Sequence, residues 1–301
     1  MTIFRADLLK GKRILVTGGG TGLGREIADE YARLGAEVYI CGRRGAVVTD
    51  TARELAETHN TRVTPVECDI RLPDAVESMM TRVFNEGPLS GLVNNAAGNF
   101  ISRTKDLSPN GFDAIANIVF HGTFYVTLAA GKRWIEARQQ ANVVSILTTS
   151  VWNGGPFTVP SAMSKAGINV MTKSLAVEWA PHGIRLNAIA PGLFQTKGAG
   201  ERLNPGSIRS GTMDKAQDVS GTNPMGRVGQ MQELRNLATF LMADGCDYLT
   251  GETIVIDGGA FLGGGGGSFW QLSRLGDQDW QNIRSTIKSS NEKDKAARTA
   301  Y

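Results

Sequence analysis

Histidine and cysteine occur only three times each in 301 residues, aromatic side chains make up 7%, and no tyrosine lies between Tyr125 and Tyr248. The three cysteines, Cys41, Cys68 and Cys246, are far apart, odd in number and without CxxC spacing. That pattern points to neither a disulfide framework nor a zinc site, and it fits a reducing cytoplasm. Excess charge is equally sparse. A formal net charge of +3 would be absorbed by a few cofactor phosphates, so it gives no argument for a nucleic-acid groove. No apolar run reaches bilayer-spanning length, and the opening "MTIFRADLLKGKR" leads directly into a first strand, which leaves no room for a cleavable signal. The expectation is a soluble cytoplasmic protein with neither nucleic acid nor membrane as partner.

What is present is a regular alternation. With 41% apolar and 20% charged residues the chain suits one large α/β domain. "RILVTGG" is a short apolar run stopped by glycines, and "GREIADEYARLG" then sets Ile27, Tyr31 and Leu34 at helical spacing before Gly35. The pattern recurs with "EVYICG", "RVTPVECDI", "GLVNNAAG", "NVVSILTT", "RLNAIAPG" and "ETIVIDGG". Repeated βα units of this kind predict a doubly wound parallel sheet, the Rossmann architecture, over residues 1–262. Residues 263–301 read as a glycine-rich joint followed by a C-terminal helical tail of the same domain, with apolar positions at Phe269, Leu272, Trp280, Ile283 and Ile287.

The first turn, "TGGGTGLG", has the spacing GxxxGxG over Gly18, Gly22 and Gly24. Small residues between a strand and a helix let backbone amides close on a pyrophosphate, where the helix dipole favours negative charge. A ligand-free glycine turn is the plainer alternative, but the flanking strand and helix are what the fingerprint requires. At the end of the second strand, where an acidic residue would take the ribose hydroxyls of NAD, stand Arg43 and Arg44. Their guanidinium forks suit a 2′-phosphate, so NADP is the expected cofactor. Asp69, closing the third strand, is placed to accept from an adenine amino group, although a turn-capping role explains it equally well.

These motifs carry a resemblance. "TGGGTGLG", "NNAAG" and "RLNAIAPG" resemble the short-chain dehydrogenase/reductase family, and "NNAAGNF", "VPSAMSKAG", "SLAVEWAPHGIR" and "PGLFQTKGAGERL" are similar to its 2,4-dienoyl-CoA reductase branch over nearly the whole chain. The resemblance implies that Lys165 holds the nicotinamide ribose, that the Asn99 amide faces the substrate thioester oxygen, and that Ser161 is the serine of the lysine's segment. It also implies cofactor contacts from Thr21 and Leu23 in the first turn, Ile70 beside Asp69, Asn95, Ala96 and Ala97 after the fourth strand, and Pro191 and Gly192 after the sixth. A homotetramer and an acyl thioester substrate, acyl-CoA in the branch, are implied as well.

The chain departs from the resembling enzymes at the acid. The general family has a tyrosine four residues before the lysine, where Ser161 stands; the branch has one eleven residues before that serine, which an ungapped count puts at Ser150. The usual helix asparagine falls on Val119. Hydride addition to a conjugated dienoyl thioester drives charge onto the carbonyl oxygen, which needs a placed donor such as Asn99. The carbon must then be protonated, for which a serine hydroxyl is a poor acid, so a water polarised by Ser150 or Lys165 is the expected proton source. Thr148, thirteen residues before Ser161, stands at the family's usual serine distance.

Weaker candidates are His121 as an acid near the nicotinamide, against simple packing in its helix; Trp152 and Phe157 as acyl-pocket walls, against anchoring of their loop; and Lys197 and Arg202 as CoA-phosphate contacts on a lid spanning Gly192–Ser207. Tyr125, His59 and His182 read as structural. Three functions remain open: an NADPH-dependent enoyl or dienoyl thioester reductase, a carbonyl or alcohol oxidoreductase, and a catalytically weak NADP-binding protein.

Overall fold

All seven apolar runs form strands: β1 (Arg13–Thr17), β2 (Glu37–Gly42), β3 (Val63–Glu67), β4 (Gly91–Asn94), β5 (Ala141–Ile146), β6 (Ile184–Pro191) and β7 (Thr253–Ile256). The computed structural model describes residues 3–196, 224–265, 275–283 and 285. The strands pair in parallel in the order β3-β2-β1-β4-β5-β6-β7, the expected doubly wound sheet. Between them run α1 (Gly22–Arg33), α2 (Gly45–His59), α3 (Pro73–Asn85), α4 (Pro109–Ala116), α5 (Thr123–Glu136), α6 (Ser150–Asn153) and α7 (Val159–Trp179), with α8 (Met231–Met242) before β7 and α9 (Ala260–Gly265) after it.

The sheet is buried on both faces, which is why its strands read as continuous apolar runs rather than as alternating ones. The two-residue period still sorts side chains. Ile14, Val16, Val38 and Ile40 enter the core shared with α1, α2 and α8, while Leu15, Tyr39 and Cys41 enter the one shared with α3, α5 and α7. Each fully buried Leu, Ile or Val contributes about 1.5–3 kcal/mol. The chain turns left from β1 to β2 and β3 and right from β1 to β4 and beyond, so the switch point lies between β1 and β4. Ligands of such sheets bind beyond the carboxyl ends of the strands at that crevice.

One helix is irregular. From Pro109 to Glu136 it is continuous over 28 residues, but Asn117–Gly122 form a π-helical turn between α4 and α5. By length and mean hydropathy alone this helix could cross a bilayer. More than half of its apolar window is buried inside the protein, with Val126, Ala129, Ala130 and Trp134 packed on the sheet. Val119, at the place of the usual asparagine, joins Ile115, Leu147, Ile168 and Ala188 in a small separate core beneath the crevice.

Candidate active site

A cleft of about 1100 Å³ opens at the switch point, large enough for a dinucleotide and part of a second ligand. At its outer end the backbone dominates. Gly18 and Gly22 have φ of +66° and +58°, a conformation in which a side chain would be strained. Asn95 locks this turn: its amide nitrogen donates to the Thr17 carbonyl at 2.9 Å and to the Gly18 carbonyl at 3.3 Å. The Thr17 hydroxyl accepts from the backbone N–H groups of Asn95 and Ala96, both at 3.0 Å. The loops after β1 and β4 are thus tied together at the crevice floor.

Fourteen of the fifteen residues expected to hold cofactor line this cleft: Gly18, Thr21, Gly22, Leu23, Arg43, Arg44, Asp69, Ile70, Asn95, Ala96, Ala97, Lys165, Pro191 and Gly192. Gly24 does not. It is buried in the first turn of α1, where an added Cβ would collide with the Asn95 amide and approach the Gly18 carbonyl oxygen to 2.6 Å. Its smallness admits Asn95, so it shapes the turn from behind. Asp69 reaches the cleft already paired. Arg71 Nε donates to Asp69 Oδ1 at 2.9 Å and the Arg71 backbone N–H to the same oxygen at 3.1 Å. That pairing holds the carboxyl below its usual pKa. Arg71 was not singled out from the sequence, although the Asp-x-Arg spacing carries the signal.

At the inner end the expected side chains converge. Asn99, Thr148, Ser150, Ser161 and Lys165 all line the same cleft, supplied by the loop after β4, the loop after β5 and the start of α7. The Asn99 carbonyl oxygen accepts from the Phe100 N–H at 2.9 Å, which fixes the amide and leaves its NH₂ to donate. The Ser150 and Thr148 hydroxyls lie 3.4 Å apart. Lys165 is 7% exposed, and its ammonium donates to the Ile146 carbonyl at the end of β5. Burial without an opposing charge pushes its pKa down to about 8. Ile118 of the π turn, Leu147 and Phe194 add apolar wall; none was picked out from the sequence, because apolar residues at strand and helix ends look alike whether they pack or line a site.

Three side chains weighed as weaker candidates lie away from the cleft. His121 is exposed, stacked between Phe120 and Tyr125 at ring distances of 5.5 and 6.1 Å, and does not line the cleft. Trp152 and Phe157 are 41% and 57% exposed and are not cleft walls either. Trp152 lies against Phe261 of α9. Phe157 takes a left-handed φ of +62°, and its carbonyl accepts from the Ser102 N–H at 2.9 Å, tying the β5 loop to the loop that carries Asn99. Lys197 and Arg202, with most of the expected lid, lie outside the described residues, as do Phe269, Leu272 and Ile287 of the tail.

A glycine turn beneath a helix N-terminus, set at the switch point and opening onto a buried lysine and a fixed amide, defines an oxidoreductase of the dinucleotide-dependent kind. Residues 18–260 match the family model described as "Enoyl-(Acyl carrier protein) reductase". The chain is 41% identical over 297 residues to "Probable 2,4-dienoyl-CoA reductase 3 [(3E)-enoyl-CoA-producing]" of Caenorhabditis elegans, covering 97% of this chain and 94% of that one. It is 37% identical over 257 residues to "Probable 2,4-dienoyl-CoA reductase [(2E)-enoyl-CoA-producing]" of Bacillus subtilis (strain 168), covering 84% and 98%. Among solved structures, a short chain dehydrogenase from Bacillus anthracis superposes with a TM-score of 0.75 at 37% identity, over 84% of this chain and 97% of that one. The chain belongs to the short-chain dehydrogenase/reductase family, whose members use a nicotinamide cofactor.

Proposed function

We propose that this protein is an NADPH-dependent reductase of 2,4-dienoyl thioesters, with an acyl-CoA as substrate. The full-length similarity to proteins named 2,4-dienoyl-CoA reductase supports the substrate class. The observation that carries the reading is the Asn99 amide, held by Phe100 N–H and sharing one cleft with Lys165, while among the described residues no tyrosine lines it. Carbonyl reduction needs a strong acid for the oxygen during hydride transfer; conjugate reduction needs chiefly a donor for a developing oxyanion. This inner end supplies the second better than the first.

The bound reduced nicotinamide would supply the hydride. Arg43 and Arg44, at the mouth of the outer end, would meet the 2′-phosphate and favour NADPH over NADH. Asn99 would donate to the thioester oxygen as charge develops, and Lys165 would orient the ribose. Ser150 and Thr148 would hold a water in the space that a tyrosine ring takes in the resembling enzymes, with Ser161 at its edge. A homotetramer formed through the faces of the π turn, α5 and α7 fits Phe120, Phe124, Met163, Val170 and Val177, all between 42% and 78% exposed.

One assay tests the proposal: NADPH consumption with a 2,4-dienoyl-CoA, with a 3-oxoacyl-CoA and with neither, the products being identified. Turnover of the dienoyl thioester alone is the expected result. Turnover of the oxo compound alone would overturn the reading in favour of a carbonyl reductase.

A further inference from the structure

Among the described residues at the inner end of the cleft, only Lys165 titrates in a range where it can deliver a proton at physiological pH; Asn99, Thr148, Ser150 and Ser161 do not. The other titratable residues lining the cleft, Cys41, Arg43, Arg44, Cys68 and Asp69, belong to the ends of β2 and β3. Both cysteines are buried, and that burial raises their pKa. Helix α7 packs against α4, the π turn, α6, a short 3-10 turn (Ala180–His182) and β6. On those elements Asp113, His121 and His182 are exposed, and Arg185 is held by the Ala243 and Leu249 carbonyls at the far end of β6. On α7 itself Lys173 and Glu178 face solvent. Among the described residues Lys165 therefore sits buried with no carboxylate as counter-ion, its ammonium held by the Ile146 carbonyl.

Ser161 lies four residues earlier on α7, on the same face one turn away. Its hydroxyl has no partner among the described residues, unlike that of Ser164, which donates to the Pro160 carbonyl at 2.7 Å. Building on the dienoyl-reductase reading, we propose that the Lys165 ammonium is the source of the proton that completes the reduction, passed through Ser161 or a water beside it to substrate carbon. The electrons balance simply. The reduced nicotinamide supplies a hydride to one end of the diene, and the π pair of the resulting dienolate forms the new C–H bond. A Lys165 N–H bond breaks, leaving a neutral amine that solvent reprotonates. Lys165 thus replaces the missing phenol as the acid, in addition to holding the ribose.

The sign of the pH dependence follows. With a pKa of about 8, Lys165 carries its proton below that pH and loses it above. Turnover is therefore expected to be level on the acid side and to fall about tenfold per pH unit beyond it. The experiment has three arms. Steady-state turnover of a 2,4-dienoyl-CoA with NADPH is followed from about pH 6 to about pH 10. In the protein without cofactor, acylation of Lys165 by a small amine-directed reagent is quantified by mass spectrometry against pH, with a midpoint expected near 8. Lys165→Arg keeps a cation that cannot give up its proton; it is expected to bind NADPH, to lose about 100-fold in turnover, and to lose the alkaline limb. A flat profile with the unmodified enzyme, an acylation midpoint near the ordinary lysine value, or unimpaired turnover by Lys165→Arg would each overturn the proposal. No dienoyl turnover at any pH would instead overturn the substrate reading, which the acylation arm does not touch.

Discussion

Where β1, β2 and β3 end, the cleft is shaped by backbone; where β4, β5 and β6 end, it is shaped by a handful of side chains. At the first end Gly18 and Gly22 have left-handed conformations, and two loops are locked by hydrogen bonds among Thr17, Asn95 and Ala96. Each bond restrains its neighbours, so the turn is over-determined. At the second end each group is held by a single polar contact: the Asn99 side-chain oxygen by the Phe100 N–H, the Ser150 hydroxyl by that of Thr148, and the Lys165 ammonium by the Ile146 carbonyl. Such an arrangement tolerates exchange of a single chemical group without disturbing the fold beneath it. The recognition end is conservative by construction, and the reacting end is open to substitution.

The comparison is broken most sharply by removing one side chain from the reacting end. Asn99→Ala deletes the proposed oxyanion donor and is expected to lower kcat by about 100-fold or more, with thermal stability unchanged; equal turnover in both proteins would show that the donor lies elsewhere. At the recognition end the corresponding blow falls on stability. Gly24→Ala would raise intrinsic helix propensity, but the added methyl meets the Asn95 amide and the Gly18 carbonyl, so a net loss of about 1–3 kcal/mol is expected. A lowered Tm together with weakened cofactor affinity checks it, and a raised Tm would mean that Asn95 yields easily. The smallest effect is expected from the double variant Arg43→Ala with Arg44→Ala. It should cut the preference for NADPH over NADH by about tenfold, the scale of one charge-assisted hydrogen bond, while kcat at saturating cofactor stays put. Isothermal titration with both cofactors measures it.

This contrast also explains what the sequence disclosed. The recognition end is written contiguously: "TGGGTGLG" and "NNAAG" specify strand, turn and helix together, and all seven strands were legible as apolar runs between turn residues. The reacting end is assembled from three separate segments, and only resemblance joined Asn99 to Ser150 and Lys165. Loop aromatics have no period to read, so the sequence leaves Trp152 and Phe157 open between pocket wall and loop anchor, and the structure favours the anchor. Asp69 was recognised but its partner Arg71, two residues on, was not, because an arginine beyond a strand reads as solvated until its carboxylate is located.

His121 lies within the π turn at Asn117–Gly122. A helix that passes through one such turn carries one residue more than a regular α-helix over the same rise, so everything downstream is out of phase with everything upstream by roughly 100°. The rod from Pro109 to Glu136 is two gears on one axle. Its first part turns Ile115 into the small core with Leu147 and Ile168, and its second turns Val126 and Trp134 toward the sheet. An unbroken helical wheel drawn through all of it assigns a wrong bearing to one part or the other. A single-residue deletion within the turn would restore an ordinary helix and force a choice between the two bearings, whereas the same deletion in α5 would leave the slip in place and misalign only the sheet-facing stripe.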